Sequence, residues 1–339
     1  DVVTTLFVAN THTQLLFFST DGMAYKLKTW RLPLGARTAK GKAIVNILPI
    51  QAGVSIAAVM PVDAPEEEWE KLQIIFSTSS GDVRRNALSD FTNVRSNGKI
   101  AMDLPEDITL VNARIANEDD DVMLVTDSGR AIRFSTTAVR VFKGRKSTGV
   151  RGIKLLGDDK VVSMSIIRHF EASPDERSAY LKMRRAVAGM SDDAVGSQEE
   201  EDEEINENAT ITPERYAEMS AAENLILTIT ASGSGKLSSS HDYPVRGRGG
   251  MGVSAIDKKM RGGLLVASFP VEIEDQIMLA TSNGQSIRVP VEGISFRSRS
   301  AGGVKVFNTG EEEQVVSVAW IAEKGEDADE NELEEEDPT

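Results

Sequence analysis

Short apolar runs recur along the chain, and each ends in a Ser/Thr/Asp turn closed by glycine. The copies are Leu16–Gly22, Ile74–Gly81, Val122–Gly129, Leu225–Gly233 and Ile277–Gly284. Asp-Gly, Ser-Gly and Asn-Gly are hairpin turn signals, because glycine accepts the positive φ such turns require. Each run therefore predicts the first strand of a β-hairpin, and the mixed, base-bearing stretch after the glycine predicts the second. A second element follows each hairpin: a basic loop containing glycine that leads into an alternating strand. Its copies span Arg37–Ile47, Arg95–Leu104, Arg145–Leu155, Arg246–Ile256 and Arg297–Phe307. Further strands are readable at 160–167 and 314–320.

The hairpin glycines lie 59, 48, 104 and 51 residues apart, and the loop glycines 57, 51, 103 and 51. Two independent markers thus agree on a unit of about 50 residues, enough for four strands as in a propeller blade. Five units are visible, and the third carries an insertion of about 50 residues. The expected fold is an all-β bladed disc over 1–322, interrupted at 171–223 and followed by a disordered acidic tail at 323–339.

The insertion opens with Ser173-Pro174-Asp175-Glu176, a capping box with proline at the first helical position. Tyr180, Met183, Val187 and Met190 follow at helical spacing as one stripe. Thr212-Pro213-Glu214 opens a second short helix carrying Tyr216 and Met219. Glu199–Glu204 is expected to be disordered, and the helices to dock loosely on the disc.

Charge changes this picture. The net charge of −15 hides an uneven distribution. Residues 323–339 carry ten acids and one lysine, and 171–223 carry fifteen acids and five bases. Without them, 28 acids face 32 bases, so the body is mildly basic. Such a body suits a polyanionic partner, and the acidic tail is expected to fold back on it as a competitor.

No catalytic constellation is present. Cysteine is absent, which excludes disulfides and a thiol nucleophile. His12, His169 and His241 lie in unrelated segments and read as surface or turn residues. No metal-ligand spacing, phosphate loop or membrane-length apolar run occurs. The N-terminus has no basic leader region and no initiator methionine, so a cytoplasmic fragment of a longer protein is expected.

The remaining signal is one basic loop per unit. Equivalent loops of a bladed disc share one rim, where their bases would form a curved positive stripe able to neutralise DNA phosphates without reading sequence. The candidates are Arg37, Lys40 and Lys42; Arg95 and Lys99; Lys143, Arg145, Lys146 and Arg151; Arg246 and Arg248; Arg297, Arg299 and Lys305. The hairpin-strand bases Arg84, Arg85 and Arg133 are expected on the same side.

The stretches Val8–His12, Gly41-Lys-Ala-Ile-Val-Asn-Ile-Leu-Pro49 and Thr148-Gly-Val-Arg-Gly-Ile153, with the repeated hairpins, resemble the C-terminal domain of DNA gyrase A. The resemblance spans nearly the whole chain apart from the insertion and tail. It implies a six-bladed β-pinwheel that wraps double-stranded DNA, in service of negative supercoiling by an ATP-dependent type II topoisomerase. It also implies that catalysis, ATP and Mg2+ belong to other domains. The partners would be the rest of gyrase A, together with gyrase B, in an A2B2 assembly at the nucleoid, with the isolated domain monomeric. The family's Gln-Arg-Arg-Gly-Gly-Lys-Gly box is not in this sequence. It belongs to a sixth repeat expected before Asp1, and Arg246–Gly252 is its nearest echo. Two alternatives stand beside this reading: the corresponding domain of topoisomerase IV, and a propeller serving as a protein-interaction platform.

Overall fold

The computed structural model describes residues 7, 9–35, 40–187, 206, 209–257, 263–310 and 313–321. Each apolar run forms the first strand of a tight antiparallel hairpin. The five hairpins are β1 (Gln14–Ser19) with β2 (Met23–Lys28), β4 (Gln73–Thr78) with β5 (Asp82–Ala87), β8 (Asp120–Thr126) with β9 (Arg130–Ser135), β12 (Leu225–Thr230) with β13 (Ser234–Ser239), and β16 (Gln276–Thr281) with β17 (Ser286–Pro290). A third strand returns along the first in each unit: β3 (Ile56–Val62), β7 (Leu110–Ala116), β11 (Val161–Arg168), β15 (Leu265–Val271) and β19 (Val315–Ile321).

The fourth strand comes from the next unit. Two-residue strands β6 (Lys99–Ile100), β10 (Val150–Arg151), β14 (Val253–Ser254) and β18 (Val304–Lys305) pair with β2, β5, β9 and β13. The sheet orders are β3-β1-β2-β6, β7-β4-β5-β10, β11-β8-β9-β14, β15-β12-β13-β18 and β19-β16-β17. A 50-residue unit is therefore not a blade. It gives three strands to its own sheet and lends a fourth to the sheet before. Among the described residues, β17 receives no such strand. In the first unit, the segment expected to lead into a strand instead forms a 3-10 turn at Ile44–Asn46, with no preceding described sheet to pair with.

The joint between units is backbone-built. The carbonyl of Gly22 accepts from the N–H groups of Ala101 and Met102, that of Gly81 from Gly152 and Ile153, and that of Gly233 from Val306 and Phe307; Gly129 accepts from Ala255. The two sequence markers are thus halves of one joint: the hairpin glycine of one unit meets the glycine loop of the next. A side chain has no room there. A Cβ on Gly233 would lie 2.5 Å from the Phe307 carbonyl oxygen.

Sheets stack face to face, which explains why first strands are apolar runs rather than alternations. On β4, Ile74 and Phe76 join a core with Leu16 and Phe18 of the first sheet, while Ile75 points into a core with Val122 and Leu124 of the third. Phe18 meets Phe76 edge-on, with ring centroids 5.3 Å apart. Two further cores, one around Ile226 and Tyr243 and one around Leu227 and Ile277, fill the next interfaces. The third strands touch in succession, β3 to β7, β7 to β11, β11 to β15 and β15 to β19. They form the inner line of the array, so the exchanged strands at the far end of each sheet lie along the outer edge.

The insertion forms α1 (Pro174–Val187) and α2 (Pro213–Ala222). The capping box is made: Ser173 N–H donates to Glu176, and Glu176 N–H to the Ser173 hydroxyl. Docking is close rather than loose. Tyr180 and Met219 are fully buried, and His241, expected at the surface, is buried beneath them with Nε2 2.8 Å from the Met219 carbonyl. The expected stripe departs from this face after Tyr180, because Met183 and Val187 are exposed. Met190, the acidic run at 199–204 and the tail lie outside the described residues.

The joint makes a differential prediction. Gly233→Ala should cost about 3 kcal/mol or more, since positive φ and a backbone clash coincide. Gly284→Ala, with the same φ sign but open space around it, should cost about 1 kcal/mol. Urea unfolding of the two variants checks the difference.

Candidate nucleic-acid interface

The basic loops sit at the joints, and the joints divide the predicted bases into two populations. The first is internal. Arg84 is fully buried, with Nη1 donating to the carbonyls of Arg145 (2.7 Å) and Ser147 (2.5 Å) and Nε to Asn86 (2.9 Å). Lys236, which occupies the same register in the fourth sheet, donates to the carbonyls of Ser298, Arg299 and Ala301 at 2.5–2.8 Å. Both cations grip the backbone of the next unit's loop from below. Loop carbonyls left without a donor in this interior would each cost on the order of 1–3 kcal/mol, which explains a buried charge at this position.

Three further candidates are internal. Arg133 pairs with the buried Asp121 at 2.8 Å and donates to the carbonyls of Ser240 and Arg168. Arg85 is buried against Gln73. Arg299 is buried, with its backbone N–H on Asp242 at 2.7 Å and its guanidinium on the Ser254 carbonyl. The expectation that Arg84, Arg85, Arg133 and Arg299 line the outer surface is therefore corrected. Strand pairing and loop closure turn them inward, where they meet backbone oxygens, the side-chain amides of Asn86 and Gln73, and the carboxylates of Asp121 and Asp242. Burial pushes the Arg84 guanidinium down to about 10 and lowers that of Arg133, which Asp121 partly offsets.

The second population faces out. Lys40, Lys42, Arg95, Lys143, Lys146, Arg151, Arg248 and Lys305 are exposed, and Lys99, Arg145, Arg246 and Arg297 are half-buried. Arg37 lies outside the described residues. Contacts between loops knit this edge together. Arg248 donates to the carbonyls of Ala138 and Arg151, joining the third and fourth loops, and Lys305 reaches the Ser232 carbonyl of the preceding hairpin. Lys99 donates to the Asp90 carbonyl at 2.6 Å. Burial lowers its ammonium first, and Arg145 and Lys26 nearby lower it further, against a smaller opposing effect of Asp90.

Sequence reasoning missed Arg130, whose guanidinium donates to the Met251 and Gly252 carbonyls of the fourth loop. Its signal was its place directly after a hairpin glycine. It also missed Asn93 and Asn97, which line a cleft with Arg95, Lys99 and Arg145. Among the described residues, no cluster of three or more His, Asp or Glu could hold a metal ion. None of the described helices is long and apolar enough to cross a membrane.

The family described as "DNA gyrase C-terminal domain, beta-propeller" matches this chain five times, at residues 13–63, 73–117, 120–168, 224–272 and 275–319. The chain belongs to this family. Each match covers one hairpin and its returning strand, so the family's unit is the repeat found here. The DNA gyrase A protein of Granulibacter bethesdensis is 45% identical over 97% of the chain, and that of Rickettsia bellii 40% over 99%. The chain spans 37% of the length of each of these relatives. The gyrase-family fold recurs in solved structures. A C-terminal domain of DNA topoisomerase IV superposes with a TM-score of 0.67 at 21% identity, over 92% of this chain and 80% of that one. A DNA gyrase A C-terminal domain gives 0.65 at 19%, over 93% and 84%. Fold alone does not separate gyrase from topoisomerase IV; the family match and the relatives do.

The gyrase-family joint carries a pH signature. Burial drives the Lys236 ammonium down to about 7. A lysine whose folded value lies below its unfolded one near 10.5 binds fewer protons when folded between those limits. Stability should therefore rise with pH from about 7 toward 10.5, with the full cost of burying the charge present below that window. Urea unfolding of Lys236→Met across this range should show the rise flattened relative to the parent.

Proposed function

We propose that this domain binds double-stranded DNA without sequence preference along its outer basic edge, and bends the duplex over it. The observation that carries this reading is the sorting of the bases. The cations needed for folding are buried on backbone oxygens, and those left outside recur in the loops of the four described joints along one edge. An edge of this kind releases counterions from each phosphate it meets, and several such contacts offset a bending cost on the order of 1–6 kcal/mol. We further propose that a sixth repeat completes the array, and that the domain serves negative supercoiling by gyrase. In that setting the remainder of gyrase A, together with gyrase B in an A2B2 assembly in the cytoplasm, supplies strand cleavage and the use of ATP and Mg2+. The gyrase A relatives support this assignment over topoisomerase IV. A protein-interaction platform is disfavoured by the basic, aromatic-poor character of the loops.

Binding of a random-sequence duplex of about 40 base pairs across a salt series tests the core of the proposal. Affinity should fall steeply with salt and be equal for unrelated sequences. Lys143→Gln with Lys146→Gln should weaken binding uniformly and reduce the salt slope by about 2. Absence of binding at low salt, or a marked sequence preference, would overturn it.

A further inference from the structure

The second and third loops meet at one place on the outer edge, and there the bases do more than line a surface. Asn93, Arg95, Asn97, Gly98, Lys99 and Arg145 enclose an open cleft. Arg145 is held over it because its own carbonyl is gripped from below by Arg84. Its guanidinium Nη1 is buried, yet has no hydrogen-bond partner among the described residues. An unpaired buried donor of a charged group is costly and calls for an acceptor. Lys99 spends one of its three N–H donors on the Asp90 carbonyl and keeps the others. Burial is the main cause that lowers its ammonium; Arg145 lowers it further, Asp90 partly opposes this, and Lys26 adds a smaller effect in the same direction as Arg145. Lys26 is neutralised by Glu66 at 2.8 Å, and Asp90 is engaged by the Asn86 amide. No ion pair to a carboxylate is formed by Arg95, Lys99 or Arg145 among the described residues. The cleft thus offers two guanidinium groups, an ammonium and two carboxamides, and among the described residues no carboxylate stands in ion-pair contact with them, the nearby Asp90 being engaged by Asn86.

The other joints are not built this way. The residue following the loop glycine is Lys99 here, but Val150, Val253 and Val304 at the corresponding strands. Among the four described joints a base at this position occurs at the first, and Lys42 repeats it after Gly41 in a loop that pairs with no described sheet.

We propose that this cleft seats a single phosphate group, with Arg145 and Lys99 as its principal ligands and Arg95 at its mouth. Resting on the DNA-binding reading above, the seat takes a phosphodiester of the duplex backbone. It makes the first joint an anchor that fixes where the duplex enters the edge, while the remaining loops act as a flat track. A partly enclosed phosphate held by charge-assisted hydrogen bonds is worth more than one met by a solvated side chain.

The test uses the whole chain, the 40-base-pair duplex and the double variant Lys99→Gln/Arg145→Gln. Both substitutions keep the backbone contacts, and glutamine at 99 can still donate to Asp90. Because the bases repel one another without an anion, the thermal midpoint of the variant should stay level or rise; unfolding at lower temperature would overturn the reading of a frustrated cluster. Affinity should fall at least tenfold, against about threefold for Lys40→Gln/Lys42→Gln, an exposed pair that meets phosphates through solvent. Equal losses in the two pairs would sink the anchor while leaving the track intact. If the parent chain binds no duplex at all, the DNA reading fails separately, and inorganic phosphate then decides. Saturable shifts of the Arg145 and Lys99 side-chain resonances would retain a seat for free phosphate groups, and unchanged resonances would remove it.

Discussion

The glycine carbonyl at four of the five hairpin tips accepts N–H groups from the following unit, and everything else in this array depends on that contact. It sets the register of the exchanged strand, since two residues later an apolar side chain must enter the interface core: Met102, Ile153 and Ile256 are all buried there. A sheet edge that would otherwise be open is covered by its neighbour's backbone. Stacking supplies the bulk of the burial, but stacking is non-directional and would allow sheets to slide. The joint is directional and does not.

The same contact explains how charge is arranged. A loop that crosses from one unit to the previous sheet cannot keep all its carbonyls in helices or ladders. Arg84, Lys236 and Arg130 satisfy them from the sheet below, each gripping the loop of the next unit. Once the loop is pinned from inside, its own bases other than Arg299 are left at or near the surface. Fold stability and surface charge are therefore coupled: inner cations create the platform on which outer cations stand. Replacing an inner base removes donors from a buried oxygen set, whereas replacing an outer one changes only the field above the edge.

Much of this was legible in the chain. Glycine spacing showed the repeat, and apolar runs showed the hairpins, because both follow from local backbone chemistry. Strand exchange was not legible. A two-residue strand such as Val253–Ser254 has no period of its own, and its partner lies more than a hundred residues away at Arg130–Ala131. Nor could the sequence separate Arg84 from Arg95. Both precede or follow glycines in basic stretches, and only the direction of β5 relative to the next loop decides which is buried. His241 departs from its expected surface position for a similar reason. The helices that cover it come from an insertion whose docking face begins at Tyr180 and then diverges from the apolar stripe.

The fifth sheet shows what a unit keeps where no joint is found among the described residues. On β17, Ser286, Ile287 and Arg288 are exposed, where the matching positions of β5, Val83, Arg84 and Arg85, are buried. Ile287 stands at the register of Arg84 and Lys236, and Arg288 at that of Arg85 and Arg133, with no described loop above them. Gly284 keeps the positive φ of the other hairpin glycines, yet nothing lies within 4 Å of where a Cβ would be. At the other end of the array, the loop at 41–47 has the composition of a donor but forms a 3-10 turn. Among the described residues, one sheet lacks a donor strand and one donor loop lacks a sheet. The hairpin glycine keeps its left-handed backbone with no described partner, so this feature is written into each unit and does not arise from the contact itself. A single further repeat, receiving the loop at 41–47 and lending its own to β17, would meet both needs at once.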